Sequence, residues 1–165
     1  MLLITCFIFG FLGSFTWAAG PPARTVCSPE AFALKSRSRW YCYKFYDDQL
    51  TFEEAEQECQ FRWKGHLASF NSETQAKSIG AYVAQKNLKQ DSVWIGFREG
   101  EGLNGRTKWL WTDGSAVPYT NLSGKKPDNC SSSTELCASL SPQSGQWNKQ
   151  DCNRELAFLC KWKPT

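Results

Sequence analysis

Eight cysteines spread over 165 residues, with no two in a C-x-x-C pair, constrain this chain more than any other feature. How many of them stay in the folded protein depends on the first twenty residues. The segment MLLITCFIFGFLGSFTWAAG carries no charged side chain, and the first one is Arg24. A membrane-spanning helix needs about 20 predominantly apolar residues in a row. Here Gly10, Gly13 and Ser14 interrupt the run, and Ala18, Ala19 and Gly20 end it. Those are the marks of a secretory signal with a small-residue cleavage site. Residues 1–19 are therefore expected to be a signal peptide. Its removal takes Cys6 away and leaves a secreted, extracellular chain in an oxidising environment, where thiols pair. Cys27, Cys42, Cys59, Cys130, Cys137, Cys152 and Cys160 remain. Their number is odd, so one thiol is free or reaches a second chain, and roughly a hundred pairings of the others stay open. Zinc is a poor alternative, because the only histidine is His66 and no C-x-x-C exists.

The chain beyond the signal has about 145 residues, the ordinary size of one domain. The whole chain balances 19 basic against 16 acidic side chains, a net charge of +3. That is too weak a basic field for nucleic acid, although it leaves room for anionic glycans. The sequence holds no second apolar stretch of that length, so insertion into a membrane is not expected.

Residues 21–36 are rich in Pro and Ala with little periodicity, so residues 20–39 read as an N-terminal extension tied to the domain through Cys27. The domain itself is expected over residues 40–162. WYCYKFY (40–46) is dense in aromatics and reads as a strand. Thr51, with Glu54 three residues on, is a capping box, and Phe52, Ala55, Cys59 and Trp63 recur on one helical face. Glu53, Glu54, Glu56 and Glu58 fall largely on the other sides of that helix, and Gly65 is expected to stop it. HLASF (66–70) reads as a short strand. Ser72 with Gln75 opens a second helix whose stripe is Ala76, Ile79 and Val83, fading by Asn87. VWIGF (93–97) reads as a buried strand. After it comes a long polar stretch rich in Gly, Ser, Asn and Pro, broken by KWLWTDGS (108–115) and reaching about Glu135, far longer than an ordinary connection. Short strands around Cys137–Leu140 and Gln146–Asn148, then LAFLC (156–160), complete the chain. The order is α+β, and long irregular loops on a stapled scaffold are where binding usually sits.

WIGF at 94–97, W-x-W-T-D-G-S at 109–115, Cys137, W-N at 147–148, Cys152 and F-L-C at 158–160 together resemble the C-type lectin-like domain. The resemblance covers residues 27 to about 162 and is greatest to the small secreted members, the regenerating-protein group and the venom lectins with their non-sugar-binding cousins. It implies an α+β fold of two helices, a small antiparallel sheet and a long loop region, stapled by disulfides. It also implies the pairs Cys59–Cys160, Cys137–Cys152 and Cys27–Cys42. Cys130 is then left over, as a free thiol, as a link to a second chain in a disulfide-linked dimer, or in an alternative intrachain bridge.

In sugar-binding members of that family, a calcium ion in the long loop is held by Glu-Pro-Asn or Gln-Pro-Asp, a following glutamate and a Trp-Asn-Asp. This chain has Lys126-Pro127-Asp128-Asn129, then Glu135, then Trp147-Asn148-Lys149. Calcium takes 6–8 oxygen ligands, several of them carboxylates. A lysine offers only N–H donors. Lys126 and Lys149 thus remove two ligands and cancel the charges of Asp128 and Glu135. No cofactor is expected, calcium included. Asp151, two residues past Lys149, could replace a ligand only by shifting against the neighbouring Cys152 bridge. A simpler expectation is that Lys126 or Lys149 pairs with Asp128 and Glu135 and holds the loop in place of the metal.

Trp94, Trp109, Trp111 and Trp147 lie in the family's core motifs and are expected to pack. Trp40 is assigned to the first strand, while Trp63 and Trp162 are free to be exposed. His66 is expected to pack at a strand end. With one histidine, no nucleophile elbow and no paired catalytic carboxylates, the chain is not expected to be an enzyme. Asn121-Leu122-Ser123 is a glycosylation sequon, and Asn129-Cys130-Ser131 is a poorer one. The expected function is recognition of glycans or a protein surface through residues 121–135 and 148–151, without calcium. The alternatives are a calcium-dependent galactose-type lectin, suggested by Pro127-Asp128 and Glu135, and a disulfide-linked structural or venom-type subunit, suggested by Cys130.

Overall fold

The structure, a computed structural model, describes residues 26–89, 91–102, 105–123 and 134–165. Strands β1 (Phe32–Ser36) and β2 (Arg39–Leu50) form a hairpin, followed by helix α1 (Phe52–Trp63), the short strand β3 (His66–Leu67) and helix α2 (Glu73–Lys86). Strands β4 (Val93–Glu101), β5 (Thr107–Trp111), β6 (Leu136–Leu140), β7 (Trp147–Asp151) and β8 (Leu156–Trp162) complete the chain. Among the described residues the sheet runs β1-β2-β8-β4-β6-β7, with β3 also on β8 and β5 also on β4.

Both helices start where their caps dictate. Thr51 accepts from the Glu54 backbone while Glu54 reaches back to the Thr51 N–H at 3.0 Å, and Ser72 accepts from the Gln75 N–H at 3.2 Å. The end of α1 differs from expectation. Lys64, not Gly65, adopts the left-handed cap at φ 51°. Gly65 serves another purpose, since a Cβ there would run into the Lys161 carbonyl of β8. Burial on α1 differs as well. Glu56 is only 6 % exposed, because its carboxylate turns toward β3 and accepts from the Leu67 N–H at 2.9 Å and from Gln60 at 2.8 Å.

The extension expected to lack periodicity contains β1. Phe32 and Leu34 face the core and Ala33 and Lys35 face outward, with Phe32 opposite Tyr43 and Ser36 opposite Arg39. Five residues are too short a run for that alternation to stand out locally, and pairing with β2 is what fixes it. The sheet is also mixed rather than antiparallel. Val93 and Trp94 of β4 run parallel to Ala157 and Phe158 of β8. The long connection between these strands permits this, where a tight hairpin would not.

Among the described residues three disulfides staple the fold, in the pairs the resemblance implies. Cys27–Cys42, Cys59–Cys160 and Cys137–Cys152 have Cα separations of 5.7, 5.3 and 5.1 Å.

VWIGF shows how the core is divided. Val93, Ile95 and Phe97 point into a cluster with Tyr43, Phe70, Ile79 and Leu159, whereas Trp94 points the other way onto Phe52, Leu67 and Phe158. Both faces of β4 are therefore buried, which is why the segment reads as a continuous apolar run. Gly96 between them has the Leu67 carbonyl and Thr112 Oγ1 each 2.7 Å from where a Cβ would stand, so only glycine fits. The remaining tryptophans are placed by the same packing. Trp63 stacks on Trp162 with centroids 4.1 Å apart and donates to the Tyr46 hydroxyl at 2.7 Å. Neither is a free surface ring. Trp40 on β2 is 41 % exposed.

Candidate functional site

The second half of the expected site is built on β6 and β7. Trp147 is fully buried, with ring centroids 5.4–5.7 Å from Trp111, Phe70, Phe97 and Tyr119. That cluster fixes the start of β7 and hence the half-buried Asn148 and Lys149 beside it, opposite Ser139 and Ala138. At the other end the Cys137–Cys152 bridge and the Cys152 N–H, bonded to the Glu135 carbonyl at 3.3 Å, hold Glu135 just ahead of β6. Glu135, Asn148 and Lys149 are thus carried by one two-stranded ribbon. Lys126, Pro127, Asp128, Asn129 and Cys130 lie outside the described residues.

Among the described residues the partner of Glu135 is Arg98. Its Nη2 donates to Glu135 Oε1, and its Nη1 lies 3.4 Å from Glu53 Oε2 on α1. The guanidinium also sits 5.5 Å from the centroid of the Phe52 ring. Arg98 reaches Glu135 because the β4–β6 register sets it opposite Cys137, two residues past the glutamate. Sequence reasoning looked to Lys126 or Lys149 as partners of Asp128 and Glu135 and did not consider Arg98; Lys126 and Asp128 lie outside the described residues. No local spacing links residues 98 and 135, and only the strand register reveals the pair. Beside it lies a cleft of about 430 Å³ between α1 and the β4–β5 hairpin, lined by Glu53, Gln60, Arg98, Glu99, Trp111 and Glu135 among others. Asp151 is committed elsewhere, with Oδ1 accepting from the Asn153 N–H at 2.9 Å and from the Asn153 amide at 3.1 Å.

The W-T-D-G-S motif organises the scaffold below the loops. Asp113 Oδ1 accepts from the Ser115 N–H at 2.9 Å and Oδ2 accepts from the Ser69 hydroxyl, with Lys161 Nζ at 3.7 Å. Lys161 also donates to Ser69 Oγ at 2.7 Å and lies 4.6 Å from the Tyr41 ring centroid. Burial pushes the Asp113 carboxyl up, but the hydrogen bonds from Ser115 and Ser69 and the Lys161 charge outweigh it, so it ends below its ordinary value. Burial pulls the Lys161 ammonium down, with Asp113 opposing.

His66 opens β3 and is half-buried, with Nδ1 2.5 Å from Glu56 Oε1. Asn121 is exposed. Its side-chain amide donates to the Gly145 carbonyl at 2.9 Å, and its own carbonyl accepts from the Trp147 N–H at 3.2 Å. The sequon thus lies against the start of β7.

Comparison with known proteins agrees with this geometry. The family model described as the lectin C-type domain matches residues 48–162. The chain is 32 % identical to C-type lectin TsL of Trimeresurus stejnegeri over 161 residues, 94 % of each chain. It is 34 % identical to regenerating islet-derived protein 4 of Mus musculus over 158 residues, covering 90 % of this chain and 92 % of that one. The crystal structure of human lithostathine superposes with a TM-score of 0.69 at 26 % identity, covering 90 % of this chain and 99 % of the other. The family match over residues 48–162, together with these identities and the shared fold, places the chain in the C-type lectin domain family, within its regenerating-protein and venom-lectin group.

Proposed function

We propose that the chain is a secreted, non-enzymatic recognition protein whose long-loop face binds carbohydrate or protein ligands without calcium. The observation that carries this reading is the Arg98–Glu135 pair. A carboxylate that would serve calcium is already neutralised by a guanidinium, while Lys149 presents only donors on the adjoining strand. Among the described members of the cage only Asn148 keeps a neutral side-chain oxygen, and in the sequence Lys126 and Lys149 stand where calcium would want oxygen ligands. That donor chemistry supports a calcium-free reading. Recognition then falls to hydrogen bonds from Arg98, Asn148 and Lys149 and to the cleft beside Glu135, large enough for a sugar ring or a peptide side chain.

Two features support the rest of the reading. The leader pattern favours secretion, and no helix among the described residues is long and apolar enough to cross a membrane. The single histidine is committed to Glu56 at the α1–β3 corner, a contact that positions backbone and gives no nucleophile a base. A glycan on Asn121 is compatible with the fold, because the residue is exposed and a substituted amide keeps one N–H for Gly145.

Retention on immobilised mannose and galactose, with and without chelator, tests the reading. Binding that survives chelator supports it. Retention on galactose abolished by chelator would favour the calcium-dependent galactose-type alternative suggested by Pro127-Asp128. Cys130 keeps a third reading in play, a disulfide-linked subunit, because the other six cysteines beyond the leader are paired with one another. A non-reducing gel decides it.

A further inference from the structure

The β1–β2 hairpin ends in Lys35-Ser36-Arg37-Ser38-Arg39, three cations at alternate positions, all exposed. Among the described residues none of the three has an acidic partner within ion-pair distance; Lys86, Arg106 and Lys108 are exposed and without an ion pair as well, but only here do three such cations stand at alternate positions of one turn. The tip is therefore a concentrated positive patch on a chain whose overall charge is close to balanced. Arg37 takes the turn at φ 55°, a left-handed conformation that glycine adopts without strain and arginine does not. Beneath the tip is a cleft of about 340 Å³ against the start of α2, lined by Lys35, Ser36, Arg37, Asn71, Thr74 and Ser78 among others. Asn71 donates to Ser36 Oγ at 2.7 Å, which leaves the Ser36 hydroxyl hydrogen for another acceptor. Lys35 stands across the hairpin from Trp40, an exposed ring beside the cations, and Arg39 stands across from Ser36.

We infer that this tip and cleft form a second binding site, independent of the long-loop face, for a sulfated polysaccharide. The chemistry selects that class. Guanidinium forks match the oxygens of sulfate in pairs, the hydroxyl and amide groups in the cleft match sugar hydroxyls, and the flat Trp40 ring matches a pyranose face. Cations lie on both faces of the hairpin and at its turn, so a chain laid across the tip meets all three, whereas a single small anion meets one or two. A nucleic acid or a lipid surface would call for a wider basic field or a broader apolar rim than one tryptophan supplies.

The test measures binding of size-defined heparin fragments to the folded protein across a salt series. Fully desulfated fragments, single-stranded DNA and phosphatidylserine vesicles are run in parallel. The variant Lys35→Gln/Arg37→Gln/Arg39→Gln is compared with Lys86→Gln/Arg106→Gln/Lys108→Gln, which removes the same charge from exposed positions elsewhere. Equal melting temperatures for the three proteins show that the fold is intact. The hairpin variant should lose at least about tenfold in affinity and flatten the log–log salt dependence by roughly two to three, about one per ionic contact removed. The control should lose less than about threefold. The inference is overturned if heparin does not bind, if both variants lose equally, or if desulfated fragments, DNA or vesicles bind as well as heparin. Because the long loop is untouched in both variants, neither result bears on the loop reading.

Discussion

Arg98 on β4 holds Glu135 at the entrance of β6 and reaches Glu53 on α1 with its other nitrogen, at 3.4 Å. One guanidinium thus ties together the helix, the central strand and the first residue of the ribbon that carries Asn148 and Lys149. Replacing Arg98 by alanine leaves two carboxylates facing one cleft without a cation. The Arg98 side chain is about one-third exposed, so solvent screens the pair, and the expected loss is about 0.5–1 kcal/mol by thermal or denaturant melting. Glu135→Gln in the same background should recover part of it by relieving the repulsion.

Glu56 is a buried carboxylate with a structural task. It accepts the Leu67 N–H, a backbone group with no solvent access, and it also receives Gln60 and His66. Glu56→Ala strands that N–H and should destabilise by about 1–3 kcal/mol. Glu56→Gln keeps an oxygen for Leu67 and should fall well short of that loss in the same denaturant titration.

Disulfide removal should follow loop length. The Cys59–Cys160 bridge spans 101 residues, against 15 for each of the other two. In the chain-entropy picture, the double variant Cys59→Ala/Cys160→Ala loses about 4–5 kcal/mol, and Cys27→Ala/Cys42→Ala about 3 kcal/mol. Urea midpoints of the two variants check the order.

Asp113 gives the fold an acid-side dependence. Its folded pKa lies below the ordinary value, so the folded state releases this proton more readily than the unfolded chain does. The resulting stability is fully present above the unfolded carboxylate pKa, about 3.9. It is lost as pH falls through the folded value. Lys161 acts at the alkaline end. Its pKa is depressed by burial, so the unfolded chain holds that proton longer and stability rises with pH across that window. Melting temperatures from neutral pH down to about pH 2 should drop more steeply in the native protein than in Asp113→Asn, which starts lower and has no carboxyl there to protonate.

Much of this architecture is legible in the chain because its signals are local. Thr51–Glu54 and Ser72–Gln75 announce both helices within one turn, and VWIGF announces a strand buried on both faces. The features that escape a local reading depend on distant partners. The five residues of β1 become a strand only against Arg39–Tyr43 of β2. Glu56 looks like one more acid on a solvated helix until β3 arrives over it. Trp63 and Trp162 look unconstrained because they lie at opposite ends of the domain and meet only when Cys59 and Cys160 are brought together. Arg98 is the same case at the site. Its neighbours in sequence say nothing about Glu135, so a reading of spacing alone turns to the nearby lysines.

The central claim is that this loop face recognises its ligand without calcium, and titrating calcium into the folded protein tests it most directly. Isothermal calorimetry, with the tryptophan emission of the Trp147 cluster followed alongside, should show no saturable binding up to about 10 mM. That limit lies beyond the ~0.1–1 mM range of extracellular calcium modules. A one-site isotherm with micromolar to millimolar affinity that moves the Trp147 emission and is abolished in Glu135→Gln would contradict the account.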